Sequence, residues 1–80
     1  MNISIIKKLV EERSIEELKA AEEAMEEGEN PSIDVEGKDE GEQLTHILAS
    51  LWIKEDMQAN GNDVRTSIRR YSEKVRKSIS

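Results

Sequence analysis

The chain has 80 residues, no cysteine and a formal net charge of −6, and 38% of its residues are charged. This length suits a single small domain over residues 1–80, and the missing cysteines exclude disulfide bridges and thiolate metal sites. The apolar runs are too short to span a membrane and the N-terminus lacks a signal-peptide pattern, so we expect a bacterial, cytoplasmic protein without membrane partners.

Two helices are predicted in the first third of the chain. The first covers about residues 4–12, where apolar residues recur at helical spacing. The second follows Ser14, which stands three residues before Glu17 in a capping-box arrangement, and it extends to Glu27. Gly28 is well placed to terminate it. The outward positions of this second helix are mostly glutamates, so we expect an acidic surface there.

Residues 29–38 are the least regular part of the sequence. Ile33 and Val35 alternate with polar neighbours, which is a strand-like period, but two apolar positions are too few to assign a strand. We expect an extended connector whose two apolar side chains reach the helical core. A short strand over residues 32–36, paired with residues 2–5, is the alternative.

The third helix is predicted from about residue 40 to 59, after a capping arrangement of Asp39 with Glu42. Its apolar residues form two stripes. One stripe contains Leu44, Ile47, Leu48 and Leu51 with Trp52 at its edge, and the other contains Ala49, Ile53 and Met57. A helix that is apolar on two sides is buried on two sides, which predicts a central position for this helix.

The second stripe has two interpretations, which the sequence leaves equally open. It can be the internal core of the bundle, or it can be a face that docks a protein partner or a second copy of the chain. The candidate interaction face consists of Ala49, Trp52, Ile53 and Met57, where the small Ala49 allows close approach and Met57 adapts its shape. A homodimer is a reasonable expectation, because a chain this short buries little surface alone.

The fourth helix is predicted from about residue 63 to 79, after a reversal at Asn60–Gly61, with Asn62 or Asp63 as its cap. Basic residues flank its apolar stripe on both edges. The candidate basic surface consists of Arg65, Arg69, Arg70, Arg76 and Lys77. Residues 1–61 hold 16 acidic and 6 basic side chains, whereas residues 62–80 hold 2 acidic and 6 basic ones. We therefore expect the acidic second helix and the basic fourth helix to be neighbours.

The basic surface also suggests nucleic-acid binding, because rows of arginine and lysine release counterions from phosphate. The isoelectric point near 4.8 argues against this function, since dense acid in the same small domain repels a nucleic acid. Nucleic-acid binding is thus the alternative to protein interaction.

Few residues in the sequence suggest catalysis or the binding of a metal ion or cofactor. Glu42, His46 and Ser50 lie at successive helical turns, but one helix supplies no oxyanion site beside them. The acidic residues lack the ligand spacing of a calcium loop, and no phosphate-binding or zinc motif is present. We predict a protein that is not an enzyme, with no metal, no cofactor and no small-molecule ligand.

Three segments together resemble a family of short, acidic, helical proteins of unknown function, of Bacteroidetes type. They are the opening IIKKLVEERSIEELKAAEEA, the central EGEQLTHILASLWI and the closing NG-x-D, R-R-Y and V-R-x-S-I motifs. The resemblance covers nearly the whole chain and implies a complete protein of this length. It implies no catalytic or binding residues, because the family has no established activity.

Together these patterns predict an all-α fold, a small four-helix bundle with a short first helix and an extended connector between helices two and three. The expected function is that of a small protein–protein interaction module that works by docking a helix face.

Overall fold

A computed structural model describes residues 2–79, except for the side chain of residue 79. It contains four helices: α1 (Ile3–Glu12), α2 (Ile15–Glu26), α3 (Glu40–Asn60) and α4 (Val64–Ile79). The part of the chain described here contains no strand, so the all-α prediction is confirmed. The alternative pairing of the connector with residues 2–5 is wrong, because residues 3–5 already belong to α1.

Side chains near the helix starts satisfy backbone amides that have no partner within the helix. The Oγ of Ser14 accepts from the Glu17 amide at 3.1 Å, and Oε1 of Glu17 accepts from the Ser14 amide at 3.0 Å. Oδ1 of Asp39 accepts from the amide of Glu42 at 2.8 Å. Both predicted caps are confirmed, and they explain why α2 and α3 begin where they do.

The reversal between α3 and α4 depends on three consecutive residues. Gly61 ends α3 with φ 66°, a left-handed conformation that glycine adopts without steric cost. Asp63 is the cap of α4, since its Oδ1 accepts from the Thr66 amide at 2.8 Å. Asn62, the other candidate cap, instead donates from its side chain to Asp56 at 3.2 Å.

The helix α3 is the centre of the fold, and α1, α2 and α4 all pack against it. Within residues 2–79, α4 also contacts α1 but makes no contact with α2. The prediction that the acidic α2 and the basic α4 are neighbours is therefore wrong. The two helices bury apolar faces against different sides of α3, and this burial outweighs exposed ion pairs worth only about 0–1 kcal/mol each.

Two apolar clusters fill the spaces around α3. The first, formed mainly with α2, contains Leu9, Leu18, Ala21, Val35, Ile47 and Leu51. The second, formed with α1 and α4, contains Ile6, Val10, Ala49 and Ile53 and is flanked by Trp52, Met57, Val64, Ile68 and Tyr71. Val35 is buried and Ile33 packs against the first cluster, so the expected anchoring of the connector is confirmed.

One side of α3 stays uncovered. The residues Thr45, Leu48, Trp52, Glu55 and Ala59 follow each other at helical spacing between the sides that α2 and α4 cover, and all five are exposed or partly exposed. We call this side the open face. Because α2 and α4 flank it and α1 lies behind α3, the open face is the middle of a three-helix layer.

Candidate functional site

The second apolar stripe of α3 is internal core. Ala49 and Ile53 are fully buried within the single chain, and Met57 is partly buried against the same cluster. The apolar stripe of α4 and the inner face of α1 cover these residues. Of the two interpretations that the sequence left open for this stripe, this burial favours internal core, because a partner reaches Ala49 and Ile53 only if the core opens.

Trp52 and Met57 are the partly exposed members of the predicted interaction face, and Trp52 is the one that lies on the open face. Its ring is partly buried and lies 5.6 Å from the ring of Tyr71, with the two planes tilted by 53°. This separation lies within the range of favourable aromatic pairs, so the contact with α4 stabilises this position of the indole. Trp52 thus presents a partly exposed apolar surface on the open face.

Two shallow clefts lie along the two sides of Trp52. The cleft between α2 and α3 has a volume of about 420 Å³, and the cleft at α4 has a volume of about 460 Å³. The first is lined by Lys19, Glu22, Glu23, Leu48, Leu51, Trp52 and Glu55. The second is lined by Trp52, Arg70, Glu73, Lys74, Lys77 and Ser78. We call them the acidic cleft and the basic cleft, after the charge that predominates in each.

Leu48 is the most exposed large apolar side chain on α3. It is 44% exposed and stands one turn before Trp52, next to the acidic cleft. The other large exposed apolar residue in the described part of the chain, Ile3, is 41% exposed and lies on α1, outside the open face. Sequence periodicity assigned Leu48 to the buried stripe, so its exposure was missed.

The five residues of the candidate basic surface are all exposed, but they lie on two edges of α4. Arg70 and Lys77 line the basic cleft beside Trp52, while Arg65, Arg69 and Arg76 follow the opposite edge by helical spacing. Arg70 is also engaged within the chain, since its Nε lies 3.1 and 3.0 Å from the two carboxylate oxygens of Asp56. The structure therefore divides the predicted basic surface into two narrow strips.

Asp56 is a structural residue that sequence reasoning did not single out. Its nearly buried carboxylate accepts hydrogen bonds from Asn60, Asn62, Ser67 and Arg70, which join the end of α3 to α4. Partial desolvation raises the pKa of Asp56, but the hydrogen bonds from these four donors have the larger combined effect and hold the pKa below its usual value. The sequence signal for this network was the position of Asp56, which is acidic but lies three residues after Ile53, on the buried side of α3.

His46 and Ser50 do not form a reactive group. His46 is fully buried; its Nε2 accepts from the backbone amide of Asn2 at 3.0 Å, and its Nδ1 faces the carbonyl of Glu36 at 2.8 Å. These partners assign the tautomer with hydrogen on Nδ1. Ser50 is also fully buried, and its hydroxyl donates to the carbonyl of His46 at 2.7 Å. His46 thus ties α3 to the N-terminal residue Asn2 and to the connector, and the Ser50 hydroxyl also lies 3.4 Å from the carbonyl oxygen of Ile6 in α1.

Among the residues that the structure describes, no three histidine, cysteine, aspartate or glutamate side chains come together in a way that could hold a metal ion. Within the same residues, each helix is too short or too polar to cross a membrane.

Comparisons with curated proteins and with solved structures give no significant match. A family model matches the chain over residues 1–80, and it describes a family of unknown function. This match confirms the expected resemblance to such a family, while the Bacteroidetes origin stays a prediction. The chain belongs to the family of unknown function DUF6952.

Proposed function

We propose that this protein is a small interaction module that docks a protein partner on the open face of α3. The single observation that carries the proposal is the 44% exposure of Leu48 on a helix whose other three sides are packed. Leu48 and Trp52 are adjacent apolar side chains in the middle of a three-helix layer. An apolar centre with charged residues around it is the usual composition of a protein-binding patch.

The surroundings of the open face favour protein docking for a second reason. It is backed by a packed core, because Ile47, Ala49 and Ile53 are fully buried on the other sides of the same helix. A preordered face loses little conformational entropy when a partner binds. The clefts beside Trp52 also provide shaped space for side chains of the partner.

Nucleic-acid binding has less support. The two basic strips of α4 are separated, Glu73 lies within the strip that faces Trp52, and the acidic cleft is on the other side of the same tryptophan. A phosphate backbone that followed the basic cleft would pass close to these carboxylates. A salt-titrated shift assay with duplex and single-stranded probes would detect such binding.

Site-specific photo-crosslinking in cells tests the proposal. A photoreactive amino acid is placed at position 48 in one variant and at position 3 in a second, matched variant, because Ile3 has a similar exposure on α1. We expect a discrete protein adduct from position 48 only. The partner identified in the adduct, whether another protein or a second copy of this chain, is then purified and titrated against this protein.

The substitution Leu48→Glu should weaken that binding by about tenfold or more, since it places a charge in the apolar centre, whereas Ile3→Glu should leave it unchanged. Equal adducts from both positions, or no adduct from position 48, would contradict the proposal.

A further inference from the structure

We infer that the partner on the open face is a second copy of this chain, in a twofold dimer whose α3 helices run parallel. This inference deepens the proposed function and rests on it. It starts from the charges of the two clefts. Glu22, Glu23 and Glu55 with Lys19 give the acidic cleft a net charge of −2. In the basic cleft the charge of Arg70 is paired with Asp56, so Lys74 and Lys77 with Glu73 give a net charge of +1.

The two clefts have opposite charge and lie on opposite sides of one apolar centre. A surface of this kind is complementary to itself, provided that the acidic cleft of one copy meets the basic cleft of the other. Twofold symmetry makes that contact occur twice, once on each side of the α3 helices. Complementary potentials select the partner and its orientation, while the apolar centre contributes affinity.

Symmetry decides how the two copies are oriented. If the twofold axis lay in the interface plane perpendicular to α3, the α2 helix of one copy would face the α2 helix of the other. The two acidic clefts would then repel each other. If the axis runs along α3, each α2 faces the other α4, and opposite charges meet on both sides. The complementary dimer therefore has parallel α3 helices, with Leu48 and Trp52 of one copy against the same residues of the other.

Charge reversal tests the charge pairing. The first variant, Glu22→Lys with Glu23→Lys, makes the acidic cleft basic, and the second, Lys74→Glu with Lys77→Glu, makes the basic cleft acidic. Each variant alone should dimerise about tenfold more weakly than the original chain in analytical ultracentrifugation at low salt. Mixed together, the two variants should form a heterodimer, because each cleft then meets its opposite charge.

A single chain that carries all four substitutions restores complementarity within the homodimer, so its dimerisation should return to within about threefold of the original. Circular dichroism of every variant checks that the fold is kept. This rescue separates the proposed interface from mere damage to the protein, because damage would accumulate in the fourfold variant.

Cysteine cross-linking tests the orientation, and the chain has no native cysteine to interfere. Thr45 and Ala59 stand about 21 Å apart along α3, at the two ends of the open face. In the parallel dimer, Thr45→Cys and Ala59→Cys should each cross-link to themselves with a short bis-maleimide. In a dimer with antiparallel α3 helices, only a mixture of the two variants would cross-link. Ile3→Cys, outside the face, is the control and should remain monomeric on denaturing gels.

The outcomes are distinct. Heterodimer formation, rescue by the fourfold variant and self-cross-linking at both positions would support the inference. A purified chain that stays monomeric at about 100 µM, far above typical dissociation constants of specific complexes, would overturn it. So would a dimer that is insensitive to charge reversal, or one that cross-links only in the mixture. A monomer that still forms the position-48 adduct with another protein would leave the proposed function intact.

Discussion

The Nε of Arg70 lies 3.0 Å from Oδ2 of Asp56, and this ion pair joins α4 to the last turns of α3. The two partners differ in environment, since the side chain of Asp56 is 5% exposed and that of Arg70 is 51% exposed. A nearly buried carboxylate needs its donors, because an unsatisfied charge in that position destabilises the fold. The position of α4 on α3 thus depends on a polar network as well as on apolar packing.

Ser67 is the fully buried donor of this network, and its hydroxyl lies 2.9 Å from Oδ2 of Asp56. We expect Ser67→Ala to lower the free energy of unfolding by about 1–2 kcal/mol, because it removes a hydrogen bond to a charged group. Urea denaturation provides the measurement. The exposed Ser78, whose hydroxyl donates to the carbonyl of Lys74, is the matched control, and Ser78→Ala should change the stability by less than about 0.5 kcal/mol. Equal effects of the two substitutions would contradict the buried network.

Acid should destabilise the protein through three carboxyl groups. The backbone amide of Ser14 lowers the pKa of Glu17, the backbone amide of Thr66 lowers the pKa of Asp63, and the donors around Asp56 lower its pKa against partial desolvation. A carboxyl whose pKa is lower in the folded state than in the unfolded state stabilises the fold above its unfolded pKa. That stabilisation disappears as the pH falls through the folded pKa.

Asp56→Asn isolates the contribution of Asp56 to this pH dependence. The difference in stability between the original chain and Asp56→Asn should be constant above about pH 5 and should shrink as the pH falls below 3.8, the ordinary aspartate value. Urea denaturation between pH 7 and pH 2 gives the comparison. A difference that stays constant down to pH 2 would show that ionisation of Asp56 does not stabilise the fold.

His46 should be needed for stability, since both of its ring nitrogens have backbone partners, Asn2 and Glu36. The substitution His46→Phe keeps an aromatic ring but leaves the two backbone groups without partners, so we expect a loss of about 2–4 kcal/mol. Hydrogen exchange should increase over residues 2–6 and 33–38, which the ring holds together. The neighbouring Thr45→Ala, whose hydroxyl bonds within its own helix, is the control and should leave exchange in both segments unchanged.

The two sides of α3 should respond differently to the loss of an apolar side chain. Ile53 is fully buried, so Ile53→Ala should cost about 3–4 kcal/mol, which combines lost burial with the cavity that remains. Leu48 is 44% exposed, so Leu48→Ala should cost less than about 1 kcal/mol in the monomer. Urea denaturation at low protein concentration separates these values. Similar costs would mean that the open face is packed in solution.

Two glycines near the start of α3 should also differ. A Cβ on Gly37 would lie 2.9 Å from the backbone nitrogen of Gln43, whereas a Cβ on Gly41 would meet only the Asp39 side chain, at 3.4 Å. Gly37→Ala should therefore destabilise the protein by at least about 1 kcal/mol, since backbone must move. Gly41→Ala, inside the first turn of α3, should stabilise it by about 0.5–1 kcal/mol. Thermal unfolding midpoints that shift in the same direction for both would contradict this contrast.

Local patterns in the sequence predicted the helices well because their causes are local. The capping side chains of Ser14 and Asp39 contact amides three residues away, and Gly61 ends α3 through its own backbone conformation. Helical periodicity also predicted that α3 is central. These features depend on neighbours within about one turn, so the linear order of residues contains the information.

The arrangement of the helices around α3 was decided only by tertiary packing. The sequence alone determined four helices, two apolar stripes on α3 and the separation of acidic from basic charge. Tertiary structure decided that Ala49 and Ile53 are core, that Leu48 is at the surface and that α3 separates α2 from α4. It also decided that Asp56 accepts hydrogen bonds from Asn60 before the turn and from Ser67 and Arg70 after it. The physical reason is that the hydrophobic effect is non-directional. Periodicity shows which apolar residues favour burial, but only the packing of the other helices decides which of these residues are buried.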